Sequence, residues 1–139
     1  MAWVLGLDVG TRTIGISKLE SELGLTVPLF TLRRQSVRED SRRLAETCHQ
    51  ESIAQLVVGL PLELNGGEGD SARRARQVGD ALSRLTNLPL AYQDERFSTV
   101  DAELRCKDAG MSLRKQKQVI DQIAAIIILE DWHSEQSGH

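Results

Sequence analysis

Residues 2–19 read AWVLGLDVGTRTIGISKL, and this stretch decides the architecture. An apolar run begins at Ala2 and ends on a carboxylate, Asp8, as a buried strand would if it stopped at a polar edge. Val9-Gly10-Thr11-Arg12 has turn composition, and residues 13–19 form a second strand-like run. Together they predict an antiparallel hairpin.

Outward from the hairpin, residues 25–32 are apolar and β-branched, bounded by Gly24, and predict a third strand. Pro28 within it marks an edge position, since proline cannot donate to a ladder. Ser36-Val37-Arg38-Glu39 fits a capping box opening a helix over about 37–51. The run from Ile53 to Gly59 is a fourth, buried strand. A loop over 60–69, containing Asn65-Gly66, leads to a helix that Asp70 or Ser71 can cap. Ala75, Val78, Leu82 and Leu85 give that helix its expected apolar face. Residues 89–93 predict a fifth strand, and Ser98 opens a helix that Gly110 ends. Ser112 to Lys117 reads as a basic loop or first turn before a closing helix over about 118–133.

Strands that alternate with helices call for parallel pairing through right-handed crossovers, whereas the first three strands call for an antiparallel meander. The expected fold is α/β: one five-stranded mixed sheet, three antiparallel strands then two parallel, with helices on both faces. At 139 residues without repeat, linker or low-complexity stretch, the chain is expected to form a single domain over 1–139.

Composition narrows the class. Apolar residues at 40% and charged residues at 27% suit a packed globule. Two cysteines, Cys48 and Cys106, are too few for a disulfide framework and read as ordinary buried residues. The chain lacks an apolar run of membrane-spanning length and a secretory leader pattern, so a cytoplasmic protein without membrane contact is expected. The net charge of −3 conceals basic blocks. Residues 33–43 hold five arginines against two acids, Arg73, Arg74 and Arg76 form a second cluster, and residues 105–117 form a third. Each block alone suits a solvated helix face. Convergence of some of them would suit a phosphate backbone. Five aromatic residues in all are too few for a base-stacking platform.

Three acids stand out. Asp8 ends the first strand, where an unpartnered charge is costly, although Asp before a turn is also ordinary turn chemistry. Asp94 and Glu95 follow the fifth strand, and parallel strands present ligand sites beyond their carboxyl ends. One of the two also suits the start of the next helix. Asp121 sits between Ile120 and Ile123 on or near an apolar helix face, with Ala124 and Ala125 small enough to let that helix approach the sheet. Carboxylates gathered at one edge repel one another unless a hard divalent cation joins them. Two such ions activate water and stabilise a leaving oxygen on phosphorus. The residues therefore predict a metal-dependent phosphodiesterase whose basic clusters hold nucleic acid.

Four motifs carry a resemblance. Leu7-Asp8-Val9-Gly10-Thr11-Arg12-Thr13-Ile14-Gly15-Ile16, Val58-Gly59-Leu60-Pro61-Leu62 with Asn65-Gly66, Asp94-Glu95-Arg96-Phe97-Ser98-Thr99, and Asp121 with Ala124-Ala125 and Ile128-Leu129 occur in this order. They resemble the motifs of the YqgF family, bacterial proteins of the RNase H-like fold described as Holliday-junction resolvases and as nucleases trimming precursor 16S ribosomal RNA. The resemblance implies catalytic and metal-binding roles for Asp8, Glu95 and Asp121, with Mg²⁺ or Mn²⁺ as cofactor, two ions in all. It selects Glu95 over Asp94, which becomes a cap or supporting residue. Thr11, Arg12, Arg96, Lys115 and Lys117 are candidate substrate phosphate contacts by residue type and place, each with a plain structural role as the alternative. The implied partners are a ribosomal RNA precursor or a DNA junction, and ribosomal particles, with the chain a monomer or weak homodimer. Gln122 departs from the family pattern, which has a small residue after the last acid, and bears on packing beside the metal site.

Other classes compete less well. Asp8-Val9-Gly10-Thr11 also resembles the phosphate loop of actin-like ATPases and sugar kinases, but 139 residues leave no room for their second lobe. A non-catalytic nucleic-acid module is disfavoured by the acids themselves, since bare carboxylates repel phosphate.

Overall fold

The structure is a computed structural model that describes residues 2–95 and 98–137; for residues 98–101, 117, 118 and 137 the backbone alone is described. Its elements, in chain order, are β1 (Trp3–Val9), β2 (Thr13–Glu20), β3 (Leu25–Arg33), α1 (Val37–Gln50) and β4 (Ile53–Leu60), then α2 (Asp70–Thr86), β5 (Leu90–Asp94), α3 (Ser98–Asp108) and α4 (Leu113–Ser137). They form one five-stranded sheet in the order β3-β2-β1-β4-β5. β1–β2 and β2–β3 are antiparallel, and β1–β4 and β4–β5 are parallel. The expected mixed sheet is therefore present, with β3 at an edge. Pro28 falls where the β2–β3 register shifts, so the missing donor coincides with an irregular step in the ladder.

Strand alternation divides the core in two. Leu5, Leu7, Leu56 and Val58 face α1 and α2, packing with Leu44, Ala75, Val78 and Leu82. Val4, Leu19 and Val57 face α4, packing with Ile128 and Leu129. α3 then lies on α4 through Ala102, Ala124 and Ile127. Helices thus cover both faces.

Glycines in the sheet let α4 approach it closely. A Cβ on Gly6 would meet the Leu129 side chain at 2.4 Å, and one on Gly59 would meet Ile128 at 2.4 Å. Ala124 packs against α3 instead, which corrects its expected role against the sheet.

Several boundaries differ from expectation. α4 starts at Leu113, so the basic segment Ser112 to Lys117 is its first turn and not a separate loop. Ser112 Oγ accepts the Lys115 N–H at 3.3 Å there, the capping interaction that lets the helix begin early. α2 is capped by neither Asp70 nor Ser71. Gly69 precedes it without a side-chain cap, and Asp70 pairs with Arg73 within the first turn. Leu85 is 55% exposed, because the buried face of α2 runs through Ala72, Ala75, Val78, Gly79 and Leu82. In the capping box of α1, Ser36 accepts the Glu39 N–H, while the Glu39 carboxylate pairs with Arg42. Among the described residues, no helix is long and apolar enough to cross a membrane.

Candidate active site

β1, β4 and β5 run parallel, so their carboxyl ends share one edge of the sheet. Asp8 is the penultimate residue of β1 and lies on the α4 face, because Val4 and Gly6, at the same strand parity, pack under α4. Asp121 comes from the other end of the chain. α4 crosses β2 so tightly that a Cβ on Gly15 would sit 2.0 Å from the Asp121 carbonyl oxygen. Gly15 is the register partner of Asp8. A glycine opposite the first acid thus brings the backbone that bears the second acid beside it.

The two carboxyls are coupled. The Asp8 carboxyl is pushed up from 3.8 to about 7, first by burial and then by the negative charge of Asp121. Thr13, at the start of β2, donates its hydroxyl to Asp121 Oδ2 at 2.5 Å and fixes that carboxylate's orientation. Sequence reading overlooked Thr13 as a site residue. The available signal was a hydroxyl at the first position of the strand paired with Asp8.

Glu95 follows β5 directly. Its backbone N–H donates to the Leu60 carbonyl at 3.1 Å, extending the β4–β5 pairing one step past the strand end. The residue is 7% exposed, while the neighbouring Asp94 is exposed. Ala91 packs under α4 and Gln93 donates to Glu135 of α4 at 3.0 Å, so strand parity turns Glu95 toward the α4 side, the side of Asp8. Two strand spacings separate β5 from β1, roughly 10 Å. Among the described residues, no group of three His, Cys, Asp or Glu side chains lies close enough together to hold a metal ion. The structure brings Asp8 and Asp121 together and leaves Glu95 on the same edge, further along.

The other candidates scatter. Thr11 and Arg12 are exposed on the turn between β1 and β2. Lys115 is exposed in the first turn of α4, about 9 Å along the helix axis before Asp121. Arg96 lies outside the described residues, as does the side chain of Lys117. Gln122 turns away from Asp8 and donates to Thr31 of β3 at 3.2 Å, while its carbonyl accepts the Ser17 hydroxyl at 2.8 Å. Its role is to bind α4 to β2 and β3. Cys48 and Cys106 are buried free thiols, and burial pushes the Cys48 thiol up to about 11, which removes it as a nucleophile.

The turn itself is braced from behind. Arg34 donates from Nε to Asp40 Oδ2 at 3.1 Å and from a terminal nitrogen to the Gly10 carbonyl at 3.1 Å. Its backbone N–H reaches the Arg12 carbonyl at 2.9 Å. Asp40 is fully buried and also accepts the Gln35 N–H at 3.0 Å. This links the turn after Asp8 to the first turn of α1.

The donor set suits a hard divalent cation. Carboxylate oxygens are its preferred ligands, and a metal charge would offset the burial and the Asp121 charge that disfavour ionised Asp8.

Comparison with known proteins agrees with this geometry. The family described as "RuvX: Holliday junction resolvase" matches residues 2–135. A protein of Mycobacteroides abscessus named "Putative pre-16S rRNA nuclease" is 42% identical over 134 residues, covering 92% of this chain and 78% of its own. A protein of Anaeromyxobacter of the same name is 38% identical over 128 residues, covering 92% of this chain and 93% of its own. Among solved structures, Thermus thermophilus RuvC bound to a Holliday junction superposes with a TM-score of 0.65 at 12% identity, covering 99% of this chain and 97% of that one. The fowlpox virus resolvase superposes with a TM-score of 0.62 at 8% identity, covering 97% and 99%. The last two share the RNase H-like fold with this chain. With residues 2–135 matched and relatives up to 42% identical over most of its length, the chain belongs to the RuvX family, the same family that its motifs resemble under the name YqgF.

Proposed function

We propose that the chain is a divalent-metal-dependent nuclease that hydrolyses phosphodiester bonds in structured nucleic acid, with precursor 16S ribosomal RNA as its substrate. The observation that carries this reading is the placement of Asp8 beside Asp121 at the sheet edge, where burial first and the Asp121 charge second raise the Asp8 carboxyl to about 7. A pair kept at that cost in a fold of this size serves a cation. Asp8 and Asp121 would hold Mg²⁺ or Mn²⁺, with Glu95 joining from the end of β5 to complete a site for two ions. The bound metal supplies water activation and charge stabilisation at phosphorus. Thr13 holds Asp121 in place. Thr11 and Arg12, on the braced turn, would bind a phosphate flanking the cut, with Arg96, Lys115 and Lys117 as further contacts. The names of its relatives support ribosomal RNA as substrate.

The description of the family favours one other substrate, a four-way DNA junction. Resolution of a junction requires two symmetry-related cuts and hence a dimer. One assay separates the readings: purified protein with Mg²⁺ or Mn²⁺, offered a 16S precursor and a four-way junction side by side. Asp8→Asn and Glu95→Gln exclude contaminating nucleases. RNA cleavage by the wild type alone supports ribosomal RNA processing. Symmetric nicks in the junction transfer the assignment to resolution. Equal cleavage by Asp8→Asn removes the proposed mechanism.

A further inference from the structure

Two basic blocks distant in sequence meet on the face of the sheet opposite α4. α1 and α2 pack side by side there, and the groove along them is lined by Val37, Ala81, the exposed Leu85 and four arginines. Arg38 comes from the first block, Arg73 and Arg76 from the second, and Arg84 from further along α2. Two of the four are fixed by neighbours. Arg76 forms a two-pronged pair with Glu68 at 2.7 Å and lies 4.7 Å from the centre of the Tyr92 ring. Arg73 pairs with Asp70. Arg38 and Arg84 are exposed and take part in none of the ion pairs among the described residues. Asp80, the acid in the groove, accepts the Tyr92 hydroxyl at 2.7 Å.

The first basic block also braces the turn after Asp8: Arg34 bonds both the Gly10 carbonyl and Asp40 of α1, the helix that carries Arg38. Guanidinium forks match phosphate oxygens in pairs. Among the described residues that line the groove none is aromatic, so it offers no face for stacking bases.

We propose that the α1–α2 groove binds the phosphate backbone of a double-helical arm of the nucleic-acid substrate, away from the bond that is cut. The proposal rests on the nuclease reading for the identity of the substrate, but it concerns binding and is tested without cleavage. The probe is a fluorescently labelled RNA hairpin, and the measurement is its affinity for the full chain across a range of NaCl concentrations. Asp8→Asn serves as the background so that the probe stays intact. Adding Arg38→Ala and Arg84→Ala together weakens binding about tenfold and lowers the slope of log affinity against log salt by roughly 2. Lys18→Gln, which removes a charge outside the basic blocks and opposite Leu5 in the hairpin, changes neither. Thermal melting checks that the double variant is folded. Affinity and slope equal to the parent's overturn the proposal. So does unchanged RNA affinity with a shifted monomer–dimer equilibrium, which would make the groove a contact between copies. Cleavage by the wild-type chain, measured on the same hairpin, separates the two readings. Cutting with no groove dependence sinks the groove alone, and groove-dependent binding by a chain that never cuts sinks the nuclease reading alone.

Discussion

Asp8 concentrates both the chemistry and the strain of this molecule. Its carboxyl holds a proton up to about pH 7 in the folded chain, against 3.8 in an unperturbed carboxyl. Between those two values the folded state keeps a proton that the unfolded state has released. Stability from this group is therefore highest below about pH 4, falls as pH rises to about 7, and then levels. Asp8→Asn removes the dependence. Without metal, the variant's stability advantage over the wild type should grow by about 3 kcal/mol between pH 5 and pH 8, read by urea unfolding. Mg²⁺ at a hundredfold its dissociation constant should stabilise the wild type by about 2.7 kcal/mol and leave Asp8→Asn unchanged. Wild-type melting that ignores Mg²⁺ would contradict the metal role. Thr13 is the second residue of interest. Thr13→Val deletes the hydroxyl that orients Asp121 and should cost about 1.5 kcal/mol of stability. It should also raise the Mg²⁺ concentration needed for half-maximal cleavage, and Thr13→Ser should restore that concentration. Failure of serine to restore it would reduce Thr13 to a packing residue.

At the scale of elements, two contacts place the site. The first is α4 on β2. Gly15→Ala sets a methyl group against the Asp121 backbone, which cannot yield as a flexible side-chain tip can. The expected loss is about 3 kcal/mol, with cleavage falling further than the unfolded fraction explains, since Asp121 is carried away from Asp8. A chain with Gly15→Ala that keeps wild-type stability would show that the helix can ride higher at no cost. The second contact is α1 against the first turn. Arg34 is 13% exposed and Asp40 is not exposed at all, so removing one partner strands the other. Asp40→Ala should destabilise by about 3 kcal/mol in chemical denaturation and should loosen residues 10–12, visible as faster amide exchange there. Equal exchange in the variant and the wild type would mean that the turn holds its shape unaided. The element boundaries were legible where side chains alternate or cap. Ser36 stops β3 from running on and opens α1, as the sequence implies. They were less legible at α4, where the basic stretch could be read as a loop or as a first turn because no apolar period begins until Val119.

At the scale of the molecule, α4 serves both fold and site. It covers Val4, Leu19 and Val57, and it carries Asp121. A chain truncated after Ser112 exposes one whole face of the sheet and should fail to fold. Circular dichroism and amide NMR dispersion check this, and a native-like spectrum would show that the α1–α2 layer is self-sufficient. The molecule also separates its charged groups by layer. The acids lie on the α4 side, and the convergent arginines lie on the α1–α2 side.

The sequence by itself determined the element order, the mixed sheet, the edge position of β3 and the three acids worth naming. These are local or periodic properties: apolar alternation, a capping serine, a proline, a carboxylate at a strand end. Tertiary structure alone decided which of those acids feel each other's charge. Asp8 and Asp121 meet because Gly15 lacks a side chain, and Thr13 joins them because antiparallel register sets it next to Asp8's turn. Tertiary structure likewise brought two arginine clusters into one groove, by laying α1 beside α2. Strand registers, helix crossings and close approaches depend on packing between residues far apart in the chain, and local composition carries no record of those distances.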